Sequence, residues 1–169
     1  MALATYTVTY LRTHTATFVA DNMRNVLRDI IRDVGLDPSD LLDDWDVIGR
    51  GVRTWLESGH LQKIIIEFYW HGSSSAVTRW DFPINYNGSG VDDDMWVDRE
   101  HLRRTIAKAD RPPLGCKYRV VLINGPGRPY VPGFVATTLL STEGLVNRSA
   151  GTVIATRDIM ASIEYWKSA

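Results

Sequence analysis

The sequence has little of what marks secreted or membrane-bound proteins. Its 169 residues contain one cysteine, Cys116, so no disulfide can form within the chain, which fits a reducing compartment. The first residues lack the apolar core of a signal peptide. No apolar run reaches the roughly 18 residues that a membrane span requires. We therefore expect a cytoplasmic protein with no membrane partner.

An excess of one charge is also missing. Nineteen Lys and Arg face 20 Asp and Glu, which leaves a net charge of −1. A charge this low argues against a large basic surface for nucleic acid, so we expect no direct binding to it. The stripe Arg24, Arg28 and Arg32 is interleaved with aspartates, which favours a solvated helix face with internal ion pairs.

Catalytic and metal-binding patterns are absent as well. The four histidines have no metal-ligand spacing, and Asp92-Asp93-Asp94 lacks the alternating ligands of a calcium loop. Cys116 has no histidine in a recognisable nucleophile motif, so we interpret it as buried and inert. These absences predict a protein that is not an enzyme and that holds no metal and no cofactor.

The glycine-rich run at residues 125–133 is not a phosphate loop. It lacks the spacing of that motif and a following helix, and its prolines remove amide donors. We interpret it as a stiff hinge after a strand, formed by Gly125, Pro126, Gly127 and Pro129.

What the chain does contain is the material of a packed core. Hydrophobic residues make up 44% of it and six residues are Trp, so one domain over residues 1–169 can bury about two-thirds of its unfolded surface. Periodicity predicts an α+β fold with helices on one face of a sheet. The predicted elements are a strand at 6–10, helices at 15–34 and 37–58, hairpin strands at 63–70 and 76–86, a helix at 98–109 and a strand at 118–123.

The last 45 residues differ from this pattern. Only seven of them are charged, yet they contain no credible helix. Short β-type pieces at 134–140, 152–156 and 162–166 are separated by Gly144, Asn147 and Gly151. We interpret residues 125–169, called the strap below, as a mobile segment laid against the edge of a core formed by residues 1–124.

Several phrases of the sequence resemble HORMA domains, specifically the small bacterial HORMA proteins of CBASS-type anti-phage signalling operons. The resemblance covers nearly the whole chain. It rests on the opening residues and on THTATFVADN (13–22), WDVIGRGVRTWLESGHL (45–61), RWDFPINY (79–86), GRPYVPGF (127–134) and ASIEYW (161–166).

The resemblance implies a three-helix, three-strand core sheet and a mobile C-terminal β "safety belt", whose position the strap occupies. It implies a signalling adaptor that captures a closure-motif peptide under the belt. The adaptor would then bind and activate a cGAS/DncV-like nucleotidyltransferase, and an AAA+ ATPase would reset it. Because the sequence stops three residues after Trp166, we expect the peptide to come from another chain.

The resemblance also implies where the peptide binds. The peptide would pair with the sheet edge at 118–123, beside the third helix, with the belt closing over it. The residues expected to contact the peptide or to anchor the belt are Leu102, Thr105, Tyr118, Val120, Leu122, Tyr165 and Trp166. An ordinary core role for Leu102, Tyr165 and Trp166 remains the competing interpretation.

Two other functions stay open at the level of sequence. One is a nucleotide- or RNA-binding module that uses the Arg stripe and exposed aromatic residues. The other is a small cysteine hydrolase built on Cys116 and a histidine.

Overall fold

A computed structural model describes the backbone of residues 2–86 and 95–169, and the side chains from residue 13 onwards within those ranges. The expected acidic loop at 92–94 lies outside them. The elements are α1 (Ala2–Asp33), α2 (Ser39–Asp43), α3 (Trp45–Glu57), β1 (Leu61–Tyr69), β2 (Ala76–Asn85), β3 (Trp96–Val97), α4 (Arg99–Lys108), β4 (Lys117–Asn124), β5 (Leu145–Ala155) and β6 (Met160–Ser168).

The strands form a single antiparallel sheet in the order β3-β5-β6-β2-β1-β4. Alternate residues of β1, among them Ile64, Ile66 and Phe68, join the core under the helices. Their partners on β4 are Leu122, Val120 and Tyr118, so that face of β4 also points to the helices. The α+β class with helices on one face is confirmed.

Helix α1 carries the apolar stripe that its sequence predicts, with Val19, Met23 and Ile30 fully buried. Gly35 ends it with φ +90°, as a left-handed cap requires. The predicted strand at 6–10 is wrong, because these residues belong to α1. Extending an existing helix needs no new nucleation, so it overrides a five-residue β preference. None of the helices in the described ranges combines the length and hydropathy of a membrane span.

The predicted helix at 37–58 is two helices, α2 and α3, which meet at Asp44. Asp37 stabilises the start of α2, since its Oδ1 accepts hydrogen bonds from the Ser39 amide (2.9 Å) and hydroxyl (2.6 Å). These bonds hold the pKa of the Asp37 carboxyl below its usual value. On α3, Trp45, Val52 and Trp55 are buried as the periodicity predicts.

The second half of the strap is part of the sheet. β5 contains the predicted piece at 152–156 except for its last residue, β6 contains the piece at 162–166, and β6 pairs with β2. The piece at 134–140 is instead an unpaired stretch with no regular secondary structure. Residues 125–144, called the crossing segment below, form the long part of the strap that runs outside the paired strands.

A buried ion pair within β2, between Arg79 and Asp81, supports the contact of β2 with β6 on the sheet face opposite the helices. The Asp81 carboxylate is fully buried and accepts hydrogen bonds from Arg79 Nε (2.7 Å) and Nη2 (2.8 Å). The Arg79 guanidinium also lies 4.7 Å from the ring centroid of Trp166, its partner on β6. This contact fastens the end of the strap.

We expect Asp81→Ala to lower the free energy of unfolding by about 3–5 kcal/mol, because it leaves the buried Arg79 guanidinium without its counter-charge. Urea denaturation followed by tryptophan fluorescence measures the loss. The control is Glu100→Ala, which removes the exposed i,i+4 partner of Arg104 and should cost under about 1 kcal/mol. Equal small losses in both variants would contradict a structural role for the Arg79–Asp81 pair.

Candidate functional site

Strand β4 is an edge of the sheet. β1 pairs with one side of it, and within the described chain no strand pairs with the other. Every second residue of an edge strand turns its N–H and C=O groups away from the sheet, where they can pair with another extended chain. Natural proteins cover or blunt such edges, so what lies beside β4 decides what that edge can do.

The crossing segment begins on the helix side of the sheet. The Gly125 amide donates to the His60 carbonyl (2.8 Å), and Trp55 Nε1 donates to the Pro129 carbonyl (2.8 Å). Phe134 packs edge-on against Trp55, with ring centroids 4.8 Å apart. A Cβ atom on Gly51 would lie 2.4 Å from the Phe134 ring, so only glycine allows this approach. These contacts fix the crossing segment to α3.

The same segment then reaches the opposite face of the sheet. The Leu140 amide donates to Glu67 Oε2 (2.8 Å), and Arg119 Nε donates to Glu67 Oε1 (2.7 Å). Arg119 also donates to Thr137 Oγ1 (3.1 Å) and to the Thr138 carbonyl (2.6 Å). We call this cluster of Glu67, Arg119 and residues 137–140 the clasp. The chain therefore wraps around the free edge of β4 from one face to the other.

The clasp is built on a buried charge. The side chain of Glu67 is fully buried, whereas that of Arg119 is 30% exposed. A buried carboxylate is tolerated only when it is paired and hydrogen-bonded. If the crossing segment lifts away, the Glu67 carboxylate loses its hydrogen bond from the Leu140 amide. Arg119 is then its one remaining partner in the clasp. The clasp thus favours the wrapped arrangement without making it permanent.

Two adjoining cavities lie between β4 and the crossing segment. The first, of about 460 Å³, has apolar walls from α2 and α3 (Leu41, Ile48), from β4 (Val120) and from the crossing segment (Phe134). The second, of about 220 Å³, follows β4 from Val120 to Asn124 and shares Phe134 with the first. We call the two cavities together the groove.

The groove fits an extended polypeptide better than a compact ligand. It follows an eight-residue strand, which spans about 26 Å. The edge offers backbone donors and acceptors along its length, and the walls offer apolar contacts. Asn124 Oδ1 is buried at one end with no hydrogen-bond partner, so it can accept a hydrogen bond from a ligand.

Three of the residues predicted to bind a peptide line the groove. Tyr118 and Val120 border the first cavity, and Val120 and Leu122 the second. The Tyr118 hydroxyl donates to the Asp37 carbonyl (2.7 Å) and accepts from the Leu41 amide (3.3 Å), which ties β4 to the start of α2. Burial is the main cause that raises the pKa of Tyr118.

The structure does not bring Leu102 and Thr105 to the groove. Both are buried on α4, which packs against α1 and β5 near the other edge of the sheet. The prediction that the peptide binds beside the helix at 98–109, which is α4, is therefore corrected. The helices that border it are α2 and α3, because α4 turns its apolar face towards α1 and β5.

The two predicted anchors, Tyr165 and Trp166, lie on β6, and β2 and β1 separate that strand from β4. Tyr165 packs on Trp80 with ring centroids 5.5 Å apart, and Trp166 stacks with Arg79. They hold the end of the strap rather than line the groove. Among the predicted hinge residues, Gly127 adopts φ +80°, which L side chains rarely adopt.

The sequence analysis identified neither the clasp nor the two aspartates at the rim of the groove, Asp40 and Asp44. Glu67 gave a signal, because it is a charged residue inside the apolar run Ile64-Ile65-Ile66-Glu67-Phe68. A charge in a buried strand needs a partner, but nothing local identifies Arg119, 52 residues away, as that partner. Asp40 and Asp44 also border the first cavity.

The described residues offer little for catalysis. No cluster of three His, Cys, Asp or Glu side chains among them can hold a metal ion. Burial raises the pKa of the Cys116 thiol, which disfavours the reactive thiolate. On the predicted basic stripe, Arg28 forms an ion pair with Asp29 (3.1 Å).

Solved structures share this fold at low sequence identity. A chain of the mitotic checkpoint complex matches with TM-score 0.73 and 10% identity, over 92% of this chain and 99% of that one. The E. coli MS115-1 HORMA:CdnC:Trip13 complex contains a chain that matches with TM-score 0.58 and 12% identity, over 90% and 87%. C. elegans HTP-1, bound to the HIM-3 closure motif, matches with TM-score 0.53 and 13% identity, over 73% and 69%.

A comparison with curated protein sequences finds no significant match. The profile of the family described as Bacterial HORMA domain 2, in contrast, matches residues 4–169, from the first helix to the last residue of the strap. The chain belongs to this bacterial HORMA domain family.

Proposed function

We propose that this protein is a signalling adaptor that captures a closure-motif peptide as an extra strand beside β4. The observation that carries the proposal is the free edge of β4, which faces an apolar groove enclosed by the crossing segment. Main-chain hydrogen bonds to the edge would supply affinity, and side-chain pockets along the groove would supply specificity.

The path of the strap adds a kinetic element. A peptide beside β4 would lie inside the loop that the crossing segment makes between α3 and the clasp. Its release would require the clasp to open, which is a local unfolding event. Wrapping of this kind acts mainly on the dissociation rate. C. elegans HTP-1, which shares the fold, is bound to a closure motif in its own structure.

We further propose that the peptide-bound adaptor binds and activates a cGAS/DncV-like nucleotidyltransferase in anti-phage defence, and that an AAA+ ATPase resets it. Support comes from family membership and from the E. coli HORMA protein that shares the fold, which forms a complex with CdnC and Trip13. A slowly released peptide makes an ATP-driven remodeller useful. The adaptor itself would have no turnover.

The proposed switch has a defined energetic demand. A peptide can shift the adaptor between two states only if it binds one of them better. To shift the adaptor from 1% to 99% in the peptide-binding state, the peptide must bind that state about 5.5 kcal/mol more tightly than the other state. Several backbone hydrogen bonds to β4, together with apolar contacts to Val120 and Phe134, can supply a preference of that size.

The clasp should control peptide release. We expect Arg119→Gln to speed dissociation roughly ten- to a hundred-fold, because hydrogen bonds to charged groups contribute about 1.5–3 kcal/mol. Association should change much less. The measurement is a chase of a fluorescent peptide, first selected for binding to the full chain, with excess unlabelled peptide.

The matched control for this experiment is Arg103→Gln, which removes an exposed arginine on α4, away from the groove. Its dissociation rate should equal that of the unchanged protein. If Arg119→Gln and Arg103→Gln release the peptide at the same rate, the clasp does not retain it.

Reconstitution tests the adaptor role. With a cognate nucleotidyltransferase, the protein should stimulate formation of a cyclic oligonucleotide only when closure peptide is present, and the AAA+ partner with ATP should reverse this. Val120→Asp, which puts a charge on the wall of the groove, should abolish stimulation while the fold persists. Full activity of the nucleotidyltransferase without the adaptor, or turnover by the purified adaptor alone, would contradict the proposal.

A further inference from the structure

The first cavity of the groove combines apolar walls with two carboxylates on one rim. Asp40 and Asp44 are four residues apart and joined by a helical hydrogen bond from the Asp44 amide to the Asp40 carbonyl (3.1 Å). Residues at this spacing lie on the same side of a helix. Both border the cavity, and both are exposed.

The two carboxylates have no counter-charge in the cavity. Within the described chain no ion pair involves Asp40 or Asp44. Among the described residues of the cavity wall, Arg119 is the one cation, and the clasp commits it to Glu67. The adjoining surface depression is lined by Asp37, by Asp40 itself and by one cationic residue, Lys117, so carboxylates outnumber cations among its described residues. This end of the groove is therefore acidic.

The other end of the groove carries the opposite charge. Arg128 borders the second cavity, and its guanidinium lies 5.1 Å from the ring centroid of Trp55. The described residues that line this cavity include no carboxylate. The groove thus has an electrostatic direction along β4, acidic at Tyr118 and basic at Asn124.

Apolar walls below an acidic rim suit a particular kind of side chain. Lysine and arginine lay an aliphatic stem along apolar surface and keep the charged head in water. Here the stem would contact Leu41, Ile48 and Phe134, and the head would reach the carboxylates at the rim. An aspartate or glutamate in the same place would meet two like charges, so the cavity also selects against acidic peptides.

We infer that the groove selects closure peptides with a lysine or arginine at the end beside α2, where Asp40 and Asp44 bind its charge. The inference rests on the proposed capture of a peptide and adds the chemical class of the peptide to it. Because the rim is exposed, the two carboxylates should contribute a modest factor, roughly 3- to 20-fold in affinity. Much of that factor should appear in the association rate and depend on salt.

A selection experiment tests this without knowledge of the natural peptide. A phage-displayed library of random linear peptides is selected against the full chain, against Asp40→Asn/Asp44→Asn, and against the control Asp43→Asn. Asp43 is an exposed aspartate of α2 that does not line the groove. Circular dichroism checks that each variant folds.

The full chain and the control should enrich peptides with Lys or Arg at a fixed position beside alternating apolar residues. The double variant should lose that preference and keep the apolar one. For a synthetic enriched peptide, replacing the basic residue by Gln should weaken binding to the full chain but not to the double variant, and higher salt should reduce the difference.

The other outcomes separate the two claims. Enriched apolar peptides with no basic residue, or a basic preference that survives in the double variant, would overturn the role of Asp40 and Asp44 and leave peptide capture standing. If no peptide is enriched by the full chain or by any variant, both this inference and the proposed capture of a linear peptide fail.

Discussion

The unpaired backbone edge of β4 is the constraint on which the rest of the structure depends. One end of the six-stranded sheet is a strand of eight residues, and none of the other described strands pairs with its outer backbone groups. Such an edge must be covered or used. The crossing segment encloses it at a distance and leaves the groove between them, so the edge is protected from chance pairing but stays available to an extended chain.

The two halves of the strap are held in different ways. β5 and β6 are part of the sheet, and Arg79, Asp81 and Trp166 fasten them to β2. The crossing segment is held by Trp55 and the buried Val131 at one end, and by Glu67 and the backbone bonds of Ser141 to Ser74 and Ala76 at the other. Tyr130 and Val135 between these ends are 83% and 88% exposed. Local opening occurs where few contacts are buried. The proposed release of a peptide would therefore need the crossing segment alone to open, with β5 and β6 still paired in the sheet.

Charge is used sparingly, and in two distinct ways. In the clasp, Glu67 is buried, so its pairing with Arg119 and the Leu140 amide determines where the crossing segment lies. At the rim of the groove, Asp40 and Asp44 are exposed and form no ion pair with another described residue, so they are available to a ligand. The buried charge controls the conformation, and the exposed charges control selectivity. Both uses need only a few charged residues, so they are compatible with a net charge of −1.

The sequence predicted the local elements well because their signals are local. The stripe of α1, the hairpin of β1 and β2 and the apolar alternation of β4 all follow from periodicity. The position of α4 could not be predicted in this way. Leu102 and Thr105 show only that α4 has an apolar face, whereas the neighbour of that face depends on the order of the strands. Glu67 and Arg119 likewise meet only because β1 and β4 pair in the folded sheet.

Amide hydrogen exchange of β4, resolved residue by residue by NMR, tests the central claim most directly. A peptide selected for binding to the full chain is added, and exchange is compared with that of the free protein. Strand addition predicts that alternate amides of residues 117–124, those directed away from β1, exchange more slowly with peptide, while amides already bonded to β1 change little. Binding that leaves all β4 amides unchanged and protects another edge of the sheet, such as β3, would contradict the account.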